Sequence, residues 1–287
     1  VALISNTLAQ VVERMETLYD PSWAEPWDAV GLVCGDPGQP VRKVLFAVDP
    51  VAAVVDEALD WGADLVITHH PLYLRGTTSV AATTAKGRVV HRLISGGVAL
   101  YAAHTNADVA DPGVSDALAR AVGVTGPLRP LQPSAGEPRR GLGRIGDLAA
   151  PMSLRAFANL AAAGLPRTAG PLRVAGDPER PVRTVAVCGG AGDSLLGAAR
   201  AAGVDVYLTA DLRHHPAGEH MEEDGPALVD ASHWATEWPW LPDAARRLTT
   251  AAAAAGITVE ARVSAAVTDA WTATTSTWTP EHLEGLG

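Results

Sequence analysis

Residues 41–72 read VRKVLFAVDPVAAVVDEALDWGADLVITHHPL, and residues 182–215 read VRTVAVCGGAGDSLLGAARAAGVDVYLTADLRHH. The second stretch repeats the first. At a constant offset, Val41-Arg42 falls on Val182-Arg183, Gly62 on Gly203, Asp64 on Asp205 and Thr68 on Thr209. Each copy has an apolar run, a stretch of helical spacing and a second apolar run, so each predicts strand, helix, strand. Each finishes in metal-ligand residue types: His69-His70 in the first, Asp211 and His214-His215 in the second. A further strand follows each unit, GVALYAAHTNAD from Gly97 and PALVDASHWATE from Pro226. These close on His104-x-x-x-Asp108 and His233-x-x-x-Glu237, with the same spacing and the same pair of chemistries.

In open α/β sheets, ligands bind outside the carboxyl ends of the strands. The repeat therefore predicts an α/β protein of two pseudo-symmetric strand-helix-strand domains. Its metal site is expected between them, at the strand C-terminal ends. The domain expectation is 1–105 together with 238–287 for the first and 106–237 for the second. The interval 125–181 is too short for a large inserted domain.

Outside the repeat, residues 5–18 fit an amphipathic helix with Ser5 as N-cap, from the spacing of Leu8, Val11, Val12, Met15 and Leu18. Helices are also expected over 84–95, 112–122, 152–163 and 241–255, and strands over 30–33, 98–103, 172–174 and 257–263. Residues 125–140 are rich in Pro and Gly and read as a linker or long loop. The tail from Asp269 has no clear period.

The chain's 287 residues suffice for one or two domains with a sizeable core. A net charge of −10, with Lys43 and Lys86 the only lysines, argues against a general nucleic-acid surface, which needs clustered cations. Two cysteines, Cys34 and Cys188, are too few for a disulfide framework, and the simple reading is a reducing cytoplasm. No apolar run approaches a membrane span, and the N-terminal residues do not read as a signal peptide.

Neutral imidazole and ionised carboxylate are ligands for Zn, Fe, Mn, Co or Ni. A lone His-His pair or a lone His-x-x-x-Asp carries little weight against an ordinary loop or capping turn. Three such sites, each just past an expected strand, carry much more. Asp211 and His214-His215 have three readings: they orient ligand imidazoles, move protons, or cap a helix. Residues 189–194, GGAGDS, match neither a dinucleotide fingerprint nor a P-loop, and a tight turn is the better reading. Trp27-Asp28 reads as local packing and a turn. His91, His220 and His282 lack partners at metal-site spacing and read as packed or solvated, which makes His220 a silent control.

At this point the chain resembles the NIF-three-like proteins, also called GTP cyclohydrolase I type 2 homologs or dinuclear-metal-centre hexameric proteins. The resemblance covers nearly all of the chain. It is carried by Trp27-Asp28-Ala29-Val30-Gly31-Leu32, Ile67-Thr68-His69-His70-Pro71-Leu72, His104-Thr105-Asn106-Ala107-Asp108, Gly143-Arg144-Ile145-Gly146, Val185 through Gly192, Leu208 through His215, and His233-Trp234-Ala235-Thr236-Glu237. It implies two divalent metal ions per chain, held by His69, His70, Asp108, His233 and Glu237. It also implies a NIF-three-like fold assembled into a toroidal homohexamer. The activity it implies is metal-dependent hydrolysis of a small molecule through a metal-bound hydroxide, with His104, Asp211 or His215 moving protons. The alternative is a non-catalytic scaffold that binds or allocates metal. Ala29 stands where the family usually has Asn, and Ala210 where it usually has Gly; neither is a ligand.

Overall fold

A computed structural model describes residues 6–275, and within them the repeat is visible as two copies of one parallel unit. The eleven strands are β1 (Gly31–Cys34), β2 (Lys43–Ala47), β3 (Leu65–Thr68), β4 (Ala99–Ala102), β5 (Arg129–Ser134), β6 (Glu137–Ser153), β7 (Arg173–Ala175), β8 (Pro181–Ala191), β9 (Val206–Ala210), β10 (Ala227–Ala231) and β11 (Glu260–Val263). One sheet has the order β1-β4-β3-β2-β11, and the other β5-β6-β8-β9-β10-β7. In the first, β4, β3, β2 and β11 run parallel and β1 lies antiparallel on the edge. In the second, β8, β9 and β10 run parallel, flanked by antiparallel β6 and β7.

The two copies share a physical device. Asp64 Oδ2 accepts the backbone N–H groups of Arg42 and Lys43 at 2.7 and 2.8 Å. Asp205 Oδ2 accepts those of Arg183 and Thr184, both at 2.8 Å. Each carboxylate thereby ties the start of the second parallel strand to the start of the first. Just upstream, Gly62 at φ 69° and Gly203 at φ 65° turn out of the helix in the left-handed region, where glycine carries no Cβ penalty. These repeated residues are therefore explained by local backbone chemistry.

The chain divides into two compact units. Among the described residues, one comprises 6–117 with Pro133–Leu142 and Glu237–Thr268; the other comprises Leu118–Gln132, Gly143–Thr236 and 269–275. The sequence had placed these breaks at 105/106 and 237/238. Each unit has its own core. In the first, Leu45, Val66 and Leu100 of the sheet pack with Val54, Val55, Val89 and Leu93 of two helices. In the second, Val185, Val187, Leu208 and Val229 pack with Leu154, Phe157 and Leu118.

Two expectations are corrected. The first helix is Leu8–Leu18, capped by Thr7 and Gln10 in a reciprocal capping box, so the cap lies two residues past Ser5. Residues 125–140 are not a loop: they hold β5, a tight turn at Gly136 with φ 76°, and the start of β6. Proline misled here because β5 is an edge strand, where a missing N–H costs nothing if it faces outward. Among the described residues, no helix is long and apolar enough to cross a membrane.

Candidate metal centre

His69 and His70 follow β3 directly. The backbone is still held in the sheet there, with His69 N–H donating to Ala47 O at 3.1 Å and His70 N–H to Val48 O at 2.9 Å. The Thr68 hydroxyl donates to His70 O at 2.8 Å and bends the strand end. The two rings come to 5.2 Å between centroids instead of pointing to opposite faces. His104 follows β4, its ring 5.2 Å from that of His69 and 5.6 Å from that of His70. It opens the short helix Thr105–Val109, which carries Asp108. A second short helix, His233–Glu237, follows β10 and presents His233 and Glu237 one turn apart.

The Nδ1 atoms of these histidines share one feature. His69 Nδ1 lies 2.9 Å from Ala103 O. His70 Nδ1 lies 2.7 Å from Asp49 Oδ1, His104 Nδ1 2.9 Å from Asp28 Oδ1, and His233 Nδ1 2.7 Å from Asp211 Oδ2. Carbonyl and carboxylate oxygens only accept, so Nδ1 carries the proton in each ring and donates it. Each ring is thereby held by an oxygen at Nδ1, the arrangement by which a metal-binding imidazole is oriented and made more basic, and Nε2 is the ring atom placed to ligate.

The carboxylates close in from the other side. Glu237 Oε2 lies 3.1 Å from His70 Nε2, and Glu237 Oε1 lies 3.4 Å from His69 Nε2. Asp108 Oδ1 is 3.7 Å from His69 Nε2. His69 is fully buried, yet its Nε2 makes no hydrogen bond. A buried polar nitrogen without a partner is costly, and here it faces two carboxylate oxygens at distances suited to ligands around a common ion. The donor set therefore fits a divalent metal. Two groups of side chains are able to hold one, His69-His70-His104 and His70-His233-Glu237, consistent with two divalent sites per chain.

The carboxylates also set the charge of these rings and favour the imidazolium form, which an ion would have to displace. Burial opposes charge on His70, but Glu237 and Asp49 outweigh it and push the imidazole up to about 11. Burial likewise opposes charge on His69, and Glu237 and Asp108 raise it. Burial raises Asp108 against the pull of His69 and His104. The Asp28 carboxyl would be raised by burial, but hydrogen bonds from His104 and Thr105 hold it well below the usual carboxylate range. Buried Trp240 walls the site, its ring 5.5 Å from His69.

Sequence reasoning missed Asp28 and Asp49. Asp28 had been read as turn and packing, yet it accepts from His104 Nδ1 and from both the N–H (3.0 Å) and the hydroxyl (2.5 Å) of Thr105. Asp49 has no signal of its own in the sequence; its place at the end of β2, level with the His-His step after β3, becomes visible only in the sheet. Asp211 stands at φ 57°, a left-handed conformation rare outside glycine, and this turn presents its carboxylate to His233. His215 lies exposed in the helix His214–Glu222, beside the ring of His214, and is in neither group. Residues 189–194 are not one tight turn: Gly189–Ala191 continue β8 and Asp193 opens a short 3-10 helix, and the Gly190 N–H donates to the Thr236 hydroxyl at 2.9 Å. His220 is buried with Nε2 3.1 Å from Pro226 O, so it is packed and cannot serve as a silent control for stability.

Residues 6–270 match the model of the family described as Duf34/NIF3 (NGG1p interacting factor 3). The chain belongs to the Duf34/NIF3 family. It is 57% identical over 268 residues to a GTP cyclohydrolase 1 type 2 homolog of Streptomyces coelicolor, covering 93% of this chain and 94% of that protein. It is 38% identical to a protein of the same name from Mycobacterium tuberculosis, covering 93% of this chain and 97% of the relative. Among solved structures, the Bacillus cereus protein related to NIF3 superposes with a TM-score of 0.88 at 25% identity, covering 95% of this chain and 100% of that one. The reduced HcgD protein of Methanocaldococcus jannaschii gives 0.71 at 27% identity, covering 91% and 98%. The Duf34/NIF3 fold and the metal-capable clusters thus stand together.

Proposed function

We propose that this Duf34/NIF3 chain holds two divalent ions through His69, His70, Asp108, His233 and Glu237, and uses them to hydrolyse a small molecule. The observation that carries the reading is the set of four imidazoles at strand ends, each held at Nδ1 by an oxygen acceptor, with Glu237 and Asp108 facing the Nε2 atoms of His69 and His70. Bound divalent ions would supply Lewis acidity and bring the pKa of a coordinated water to roughly 7. The chain's own residues do the rest. Asp49, Asp28 and Asp211 fix ring orientation, and Trp240 excludes water from one side. His104 was expected to move protons, and its geometry favours a place among the ligands. Asp211 is an orienting group. His215, outside both metal-capable groups, keeps the proton-moving role only as a proposal to be tested by substitution.

The name of the relatives points to ring opening of GTP as one reaction to try. We place the protein in the cytoplasm as a homohexamer, in line with the resemblance and with tryptophans left at the surface. A non-catalytic metal scaffold is the rival reading, and the imidazole pattern serves it equally. Turnover separates them. Metal-loaded protein is assayed against nucleotides, phosphoesters and cyclic amides, alongside Glu237→Ala. Turnover lost in the variant supports the hydrolase; no turnover in any class favours the scaffold.

A further inference from the structure

A cavity of about 420 Å³ lies in the first unit, bounded by the ends of β2 and β3 and one side of the helix Ala85–Ser95. His70 lines it, so the cavity adjoins a residue that belongs to both metal-capable groups. Its size is that of a small-molecule site. Val51, Leu72 and Val89 give it apolar walls, and Lys86, Arg88 and Arg92 bring three cations to one side. The single acid in the lining, Asp49, is already engaged by His70 Nδ1 and the Thr268 hydroxyl. Arg92 is paired with Asp56. Lys86 sits 5.7 Å over the ring of Tyr73, and the Arg88 guanidinium reaches only the Thr83 carbonyl at 3.5 Å. In a chain of net charge −10, this is a local excess of positive charge next to an apolar hollow.

We infer that this cavity is the substrate pocket of the metal centre, and that it takes a small molecule with an apolar or aromatic body and a phosphate or carboxylate. Lys86 and Arg88 receive the anion; Val51, Leu72 and Val89 receive the body; His70, the one residue shared with the metal-capable groups, is the link between the cavity and the metal centre. The inference rests on the metal-centre reading for the pocket's purpose, and on the cavity and its cations for its ligand.

The test uses the full chain and two probes, phenyl phosphate and phenylacetate, titrated by calorimetry. Binding is measured in metal-stripped Glu237→Ala protein, where an ion cannot hold the anion. At least one probe should bind with Kd below ~1 mM, and neutral phenol should bind at least ~10-fold more weakly. The double variant K86E/R88E should weaken the anionic probe at least ~10-fold without changing the metal content of otherwise native protein. Both substitutions fall in the first turns of the helix, where acids suit its N-terminus, so the fold is kept. A preference for one probe identifies the anion. Failure of both probes, or equal affinity in K86E/R88E, overturns the pocket and leaves the metal centre standing. Anion binding in a native chain that takes up no metal would overturn the metal reading instead.

Discussion

His104 donates its Nδ1 proton to a buried carboxylate, Asp28, over 2.9 Å. Two residues 76 positions apart are joined, and the bond fixes which nitrogen of His104 is left to face the ions. Because Asp28 also accepts from Thr105 N–H and its hydroxyl, its side chain has no freedom to turn away. Asp28→Ala should therefore lower the affinity of one metal site by about 10–100-fold, as loss of an orienting partner does. Competition against a coloured chelator measures it; unchanged affinity would show that Asp28 serves packing alone.

Glu237 reaches both His69 and His70 within 3.4 Å and is nearly fully buried. Glu237→Gln keeps its volume and removes its charge. Elemental analysis should give two equivalents of divalent metal for the native chain and at most one for the variant, with circular dichroism unchanged. Two equivalents in Glu237→Gln would remove Glu237 from the ligand set.

His220 supplies a contrast on stability. Burial lowers its pKa, with Arg200 adding to the effect and the Pro226 carbonyl opposing it. The neutral ring is the one the fold accepts. A depressed folded pKa means that its contribution is complete above the ordinary histidine value of 6.5 and is lost as pH falls through the folded value. His220→Ala should cost about 1–3 kcal/mol near neutral pH, through a lost buried hydrogen bond and a cavity, and should flatten the fall in stability between neutral and mildly acid pH. Metal content should not change. Urea titrations across that range check it; a parallel pH dependence in both proteins would refute the role given to His220.

The repeated aspartates can be tested as a pair. Removing Asp64 leaves the N–H groups of Arg42 and Lys43 without their acceptor, and removing Asp205 does the same to Arg183 and Thr184. Each Asp→Ala change should cost about 0.5–1.5 kcal/mol, since water reaches the exposed N–H groups. Similar losses in the two variants, read by thermal or urea unfolding, are expected from equivalent environments. A loss in one and none in the other would show that only one copy still depends on the device.

These cases also mark what the sequence could reveal. The parallel units, the strand β1 and the strand-end placement of His69, His70, His104 and His233 were legible, because apolar runs and the internal repeat report directly on strands. The β5–β6 hairpin was hidden by its prolines and glycine, whose usual meaning is reversed on an edge strand. Asp28 and Asp49 were hidden for another reason: an orienting carboxylate needs only to arrive near an imidazole, and nothing in local spacing records that arrival. The Thr7 cap was missed by two residues because Ser5 is an equally good capping type. Trp278 and His282 lie outside the described residues.

The last prediction concerns assembly. Trp27 is 59% exposed and Trp271 75% exposed. An indole at the surface leaves a large apolar area in water, and tryptophan is enriched where proteins meet. Trp27 also touches the ring of His104, at 5.9 Å between centroids, so a partner seated on it would shield a residue of the metal centre. Trp271 has no such tie and is the cleaner probe. Light scattering of the native chain at micromolar concentration should give a mass several times 29.7 kDa, and six times that value for the proposed ring. Trp271→Glu should shift the distribution toward smaller species while metal content per chain is retained. A native mass near 29.7 kDa would exclude the ring. Native-like assembly in Trp271→Glu would move the interface away from this tryptophan and leave Trp27 as the next residue to change.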